Sequence, residues 1–169
     1  MTVILRPEQP EDAAAIADVV TRSFAGTDVT TGNEAVLVSR LRSDPESWLG
    51  RFGFVAVKDG EIIGYVLGSR IQVGGSPAVA LAPLAVLPEY QRSGVGTQLV
   101  RRLIGEARSA GETLIVVLGY PEYYGRFGFR AADDVGILGP FHGPSFQALP
   151  LASDAPVGRA VYPAAFAGV

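Results

Sequence analysis

Cysteine is absent from the 169 residues, which excludes disulfides, zinc thiolates and thiol nucleophiles together. Lysine is almost absent, since Lys58 is the only one among 14 basic residues. A Walker-type phosphate lysine is thereby removed, and Schiff-base chemistry is disfavoured. An excess of positive charge is missing too: the formal net charge is -3 and the pI is near 5.1. Nucleic-acid binders usually carry a basic face that replaces phosphate counterions, so that class of partner is disfavoured. Long apolar runs are lacking as well. The longest, Ala78 to Leu87, is too short to cross a bilayer as a helix and is interrupted by Pro83. The opening Met1 to Arg6 lacks the basic-then-apolar layout of a secretion signal. The chain reads as a soluble cytoplasmic protein without membrane or nucleic-acid partners, and its length suits one domain over residues 1–169.

What is present alternates between strand and helix periods. Val3 to Arg6 reads as a strand, and Pro10 to Phe24 as a helix with Ala13, Ile16, Val20 and Phe24 at helical spacing. Asn33 can cap a second helix carrying Leu37 and Leu41, which Pro45 ends. Phe54 to Val57 and Ile62 to Leu67 flank Asp59-Gly60, a strong hairpin signal. After a turn at Gly74-Gly75, Val79 to Leu87 is apolar on nearly every residue, as in a strand covered on both faces. Pro83 cannot donate to a ladder, so a bulge or a break in pairing is expected there. A helix from Gly94 to Ala110, capped by Gly111, follows, then a strand from Thr113 to Leu118. Pro121 to Arg126 makes a short helix, and strands begin at Phe127, Phe146 and Gly158. The expected class is α/β or α+β, a mixed central sheet with helices on both faces.

The most telling segment is Gln91-Arg92-Ser93-Gly94-Val95-Gly96, between the apolar strand and the long helix. A strand that turns through small residues into a helix points unpaired N–H groups and the positive helix end at one spot, which suits a phosphate. A dinucleotide fingerprint would need a third glycine where Leu99 stands, and a P-loop would need Gly-Lys-Ser/Thr. Both are missing. A turn in which glycines only relieve crowding stays open on these residues alone.

The wider context, Leu84-Ala85-Val86-Leu87-Pro88-Glu89-Tyr90 leading into the glycine run and Thr97, resembles the signature of the GNAT superfamily of acetyl-CoA-dependent N-acetyltransferases. Their second signature, aromatic-Tyr-x-x-x-Gly-Phe, is matched by Tyr123-Tyr124-Gly125-Arg126-Phe127-Gly128-Phe129. The runs Gly119 to Tyr124 and Tyr162-Pro163 resemble its small bacterial YhbS-like branch. The resemblance implies the single-domain GNAT fold and an acyltransferase moving an acetyl group from acetyl-CoA, its co-substrate, to a primary amine of a small molecule or peptide. It implies no metal. Homodimers are frequent in that superfamily. A coenzyme A-binding or acetyl-CoA-sensing domain without catalysis is the alternative.

By the same resemblance, the backbone of Gln91, Arg92, Ser93, Gly94, Val95, Gly96 and Thr97 holds the coenzyme pyrophosphate. Ala85, Val86 and Leu87 offer the strand edge that pairs with pantetheine. An N–H near Val86 polarises the thioester carbonyl. Tyr124 is the expected general acid beside the leaving sulfur, because a phenol is protonated at neutral pH. A base is harder to find. Val79 to Leu87 holds no carboxylate, Glu89 lies beyond Pro88, and the single histidine, His142, stands in a Gly/Pro-rich turn without a Gly-x-Ser-x-Gly elbow elsewhere. The acceptor is expected between Phe24 to Glu34 and Ala131 to Phe146, where Asp28, Glu34, Asp133 and Asp134 can attract a cation but acidic loop residues are usually only solvated. Trp48 is read as packing under a loop rather than lining a pocket.

Overall fold

The computed structural model describes residues 2–27 and 32–168. Its strands are β1 (Ile4–Pro7), β2 (Trp48–Lys58), β3 (Glu61–Val73), β4 (Ser76–Val86), β5 (Leu114–Leu118), β6 (Arg130–Ala131), β7 (Ile137–Leu138), β8 (Phe146–Pro150) and β9 (Gly158–Val161). The helices are α1 (Ala13–Phe24), α2 (Glu34–Arg42), α3 (Val95–Ser109) and the single turn α4 (Pro121–Tyr124). Along the main path the sheet runs β1-β2-β3-β4-β5-β8-β6, while β9 joins the far end of β3 and pairs with β7. All neighbours on the main path are antiparallel except β4 and β5. The mixed sheet expected from the sequence is therefore present.

Both faces are covered, and β3 shows how. Its glycines Gly64 and Gly68 leave room for α3: a Cβ on Gly64 would lie 3.0 Å from Leu99 Cδ1, and one on Gly68 3.1 Å from Leu103 Cδ1. The neighbouring Tyr65 points to the opposite face, as strand alternation requires. There its hydroxyl donates to Glu8 Oε1 at 2.5 Å, and Arg42 of α2 donates to Glu8 Oε2 at 2.7 Å. Thus α3 packs on one face and α1 with α2 on the other. Ile16, Val19 and Val20 of α1 and Leu37, Val38 and Leu41 of α2 are buried against it.

Several elements differ from the sequence reading in extent. The expected hairpin turn is there, with Asp59 at φ 51° and Gly60 at φ 79°, the two left-handed positions of a type I′ turn. Its strands are longer than expected because β2 begins at Trp48 and continues through a register shift before Gly53. The first helix divides into a 3-10 turn, Pro10–Asp12, and α1. Asn33 precedes α2 without a side-chain cap; its Nδ2 donates to the Gly168 carbonyl at 3.0 Å, tying the helix to the tail. Trp48 lies under the Arg42 guanidinium, 4.7 Å from its ring centroid, as a packing residue. Among the described residues no helix is long and apolar enough to cross a membrane.

Asp12 fixes the entry into α1. Its carboxylate accepts two bonds from the Arg6 guanidinium, at 2.7 and 3.0 Å, and one from the Gln9 N–H at 2.8 Å. The bond from Arg6 holds its carboxyl below the ordinary range, with desolvation opposing and the Gln9 N–H assisting. A carboxyl more acidic in the folded state binds protons more readily when unfolded, so this stability is complete above the unfolded value, about pH 4, and is lost as pH falls through the folded one. Asp12→Asn is expected to cost about 1 kcal/mol at neutral pH and to flatten the acid limb of stability. Urea melts at pH 7 and pH 3 check this, and parallel acid limbs for both proteins would refute it.

Candidate active site

The site begins where β4 and β5 part. They pair in parallel only through Val79–Ile115, Ala80–Val116 and Leu81–Val117. Just beyond, the Ala82–Pro83 peptide is cis, and the register between β3 and β4 shifts between Val66 and Gly68. The irregularity expected at Pro83 lies there. Beyond Leu81 one edge of β4 has no strand beside it among the described residues.

Which backbone groups face that edge follows from strand alternation. The Leu87 N–H donates to the Ile63 carbonyl of β3 at 2.9 Å, so the polar groups of Leu87 and Ala85 turn toward β3. Those of Val86 and Leu84 turn toward the gap. The Val86 N–H donates to Ser23 Oγ of α1 at 3.2 Å, and its carbonyl accepts from Gln91 Nε2 at 2.9 Å. This corrects the edge read as Ala85, Val86 and Leu87. Val86 faces the gap, Ala85 and Leu87 bond within the sheet, and Leu84 takes the second open position.

The glycine run closes one end of the gap. Arg92 at φ 62° and Gly94 at φ 90° both adopt left-handed conformations, the kind of backbone from which anion-binding concavities are built. The N–H of Gln91 is used by the Pro88 carbonyl, and that of Gln98 by the Gly94 carbonyl. Between them, the N–H groups of Arg92, Ser93, Gly94, Val95, Gly96 and Thr97 donate to no acceptor among the described residues. The run therefore offers six amides rather than seven. Gln91 serves as a strut to Val86. The Ser93 hydroxyl donates back to the Tyr90 carbonyl, and the Val95 side chain is buried. Arg126, two residues beyond Tyr124, reaches over the run: its Nη2 donates to Thr97 Oγ1 at 3.2 Å, and its guanidinium lies 4.5 Å from the Tyr123 ring centroid.

Between the strands and under the run is a cavity of about 1,010 Å³. Arg92, Gly94, Gly96, Thr97 and Arg126 line one end. Tyr124 lines its wall, 8% exposed, with its ring at 81° to Tyr123 and 73° to Phe129. Gly119 leaves the space that the Tyr124 ring fills, since a Cβ there would collide with it. The Tyr124 hydroxyl has no hydrogen-bond partner among the described residues. Burial, and next the neighbouring Tyr123, pushes its phenol well above the ordinary tyrosine range, so it is neutral and able to donate. Tyr120 is 63% exposed, consistent with a surface role.

The other end of the cavity brings together Phe24, Glu34 and Phe141, from the two segments expected to shape the acceptor cleft, with residues from outside them. Ser23 and Phe24 come from α1, Glu34 and Leu37 from α2, Phe141 from the loop before β8, and Tyr162 and Phe166 from the tail. Glu34 is 9% exposed, not the solvated loop acid expected. Asp133, Asp134 and His142 are exposed and do not line this cavity. Glu89 is half exposed and accepts from Arg22 at 2.9 Å. Asp28 lies outside the described residues. Arg126 had a signal in its place inside the aromatic motif. Ser23, Tyr162 and Phe166 had none, because their meeting depends on chain reversal over long separations, whereas Phe141 falls in a segment expected to shape the acceptor cleft.

A family model described as "Acetyltransferase (GNAT) family" matches residues 13–129. Two Escherichia coli proteins, each named an uncharacterised N-acetyltransferase, are similar in sequence. YjhQ is 39% identical over 135 residues, covering 77% of this chain and 71% of its own. YhbS is 37% identical over 158 residues, covering 90% of each. The crystal structure of YhbS in complex with CoA superposes with a TM-score of 0.86 over 97% of this chain and 91% of that one, at 34% identity. A GNAT family acetyltransferase from Brucella melitensis in complex with acetyl-CoA gives 0.83 over 98% of both chains, at 33% identity.

Proposed function

Because the chain belongs to the GNAT acetyltransferase family, we propose that the gap between β4 and β5 is where acetyl-CoA meets an amine acceptor. The enzyme is an N-acetyltransferase. The observation that carries the placement is the set of six unpaired N–H groups from Arg92 to Thr97, opening into a cavity that runs past the free edge of β4. The coenzyme pyrophosphate sits on those amides at the start of α3, with Arg92 and Arg126 adding charge. Pantetheine lies along β4, where the N–H groups of Leu84 and Val86 face it. To use the Val86 donor it takes the place of Ser23 Oγ, which now holds it.

The reaction then needs few parts. The lone pair of the neutral amine attacks the thioester carbonyl carbon, and the negative charge growing on its oxygen is met by a β4 N–H. The C–N bond forms, the C–S bond breaks, and the sulfur takes the Tyr124 proton as it leaves. The amide nitrogen sheds its extra proton through water, which restores the phenol. The products are the acetylated amine and free coenzyme A. No carboxylate of β4 takes part, since the strand has none.

The run can be tested without touching the chemistry. Gly94 has open space around its Cα, but at φ 90° any side chain is strained. Gly94→Ala costs about 1–2 kcal/mol in that conformation, and the exposed turn relieves it by rotating amides away from the phosphate. The Kd for acetyl-CoA, measured by calorimetry, should rise about tenfold while the melting temperature stays near that of the parent. Unchanged affinity would remove the run from the coenzyme site.

A further inference from the structure

The acceptor end of the cavity has a chemistry of its own, and what it selects rests on the coenzyme reading above. Charge along the cavity is divided. Arg92 and Arg126 line the glycine-run end, whereas Glu34, the first residue of α2, is the only carboxylate among the described lining residues. The same cavity lining carries an aromatic cluster. Tyr162 stands 5.4 Å from Phe141 and 5.0 Å from Phe166, both edge to face, and Phe24 and Leu37 complete the wall. The tail that carries Tyr162 and Phe166 is fastened to α2: Asn33 Nδ2 donates to the Gly168 carbonyl at 3.0 Å, and Arg40 to the Ala167 carbonyl at 2.8 Å. Phe141, Tyr162 and Phe166 all fall outside residues 13–129, the part that matches the family model. This wall is therefore built by segments beyond those that the family model matches.

We propose that Glu34 and the Phe141–Tyr162–Phe166 ladder form the acceptor subsite, and that the acceptor is a primary ammonium carried on an aromatic or bulky hydrocarbon body. The carboxylate attracts the ammonium in surroundings where little water screens the pair. The ring faces add a second attraction for a cation, and their area rewards burial of an apolar body. A long polar polycation would leave charges against hydrocarbon, at a cost in desolvation. The phenol of Tyr162 is pushed up by burial, so it stays neutral and adds no competing charge. With phosphates drawn to one end and an ammonium to the other, the two substrates meet beside Tyr124.

The test measures thiol release from acetyl-CoA with 2-phenylethylamine, spermidine and a lysine peptide, alongside calorimetry of acetyl-CoA binding. The expected order puts 2-phenylethylamine about tenfold or more above spermidine in kcat/KM. Glu34→Gln should raise the KM for 2-phenylethylamine roughly 30-fold or more, with the Kd for acetyl-CoA unchanged and part of the loss recovered by Glu34→Asp. Tyr162→Leu should raise the same KM and leave spermidine unaffected. Preference for spermidine or the peptide would overturn the inference. So would an unchanged KM in both Glu34→Gln and Tyr162→Leu, or no release from 2-phenylethylamine by a protein that still binds acetyl-CoA. Failure to bind acetyl-CoA at all would instead strike the coenzyme reading, and this inference with it.

Discussion

Tyr124→Phe should lower kcat at saturating acetyl-CoA by about 100-fold or more, the range for loss of a positioned general acid. The KM for acetyl-CoA and the melting temperature should stay where they were. The separation follows from how the ring is held. Its edge packs against Tyr123 and Phe129, and Gly119 leaves room for its face. All of that survives in phenylalanine. Only the hydroxyl is removed, and because it has no hydrogen-bond partner among the described residues its loss leaves no buried group there unsatisfied. Burial holds the phenol well above the ordinary tyrosine range. It therefore stays protonated across the working range of an amine acetyltransferase, and Tyr124 should contribute no falling limb to the pH profile up to about pH 10. Steady-state kinetics of the variant decide the matter. Turnover equal to the parent would leave the sulfur to find its proton elsewhere and end this role for Tyr124.

The second large effect is on stability, and it lies below the site. Glu8 is 4% exposed in its side chain and accepts from Tyr65 of β3 and Arg42 of α2, whose distances are 2.5 and 2.7 Å. Gly53 must be glycine beside it, because a Cβ there would collide with the Glu8 carboxylate. Glu8→Ala removes the acceptor from a buried phenol and the anion from a guanidinium together. Breaking one side of such a network costs about 3–5 kcal/mol, which for a chain of this size lowers the melting temperature by about 10 °C. Since Arg42 ends the helix that Glu34 begins, the KM for the amine should rise while affinity for acetyl-CoA holds. Thermal melts and kinetics on Glu8→Ala check both. A shift under about 2 °C would mean that the network contributes little.

The donor half of the proposed site was open to sequence reading because its features are local. Gly94 and Gly96, the strand before them and α3 after them are continuous in the chain, and a turn of that kind reveals its amides without tertiary knowledge. Pro83 marked the break in pairing for the same reason, since proline lacks an N–H wherever it stands. Parity was not legible. Whether Ala85 or Val86 faces the gap depends on register against β3, which a strand apolar on nearly every residue does not declare. Strand length was also underestimated in β2, where glycines and a register shift break the alternation that marks a strand. The two-residue β7 has too short a pattern to read.

The acceptor half was least visible, and Glu34 shows why. At the sequence level it is an acid after a Thr-Thr-Gly-Asn loop, indistinguishable from Asp133 or Asp134. Its burial sets it apart from them, and its helix is tied to the tail by contacts that join residues 33 and 40 to 168 and 167. Nothing local encodes such a pairing. Arg126 falls between the two cases: its motif was read, but its reach to Thr97 depends on α4 lying beside the start of α3.

The most direct test of the coenzyme site is a crystal structure with acetyl-CoA bound. The predicted result has pyrophosphate oxygens within hydrogen-bond distance of the amides between Arg92 and Thr97. Pantetheine should lie between β4 and β5 beyond Leu81 and Val117, with its sulfur next to the Tyr124 hydroxyl. Coenzyme density that avoids the glycine run, or a sulfur remote from Tyr124, would contradict the account.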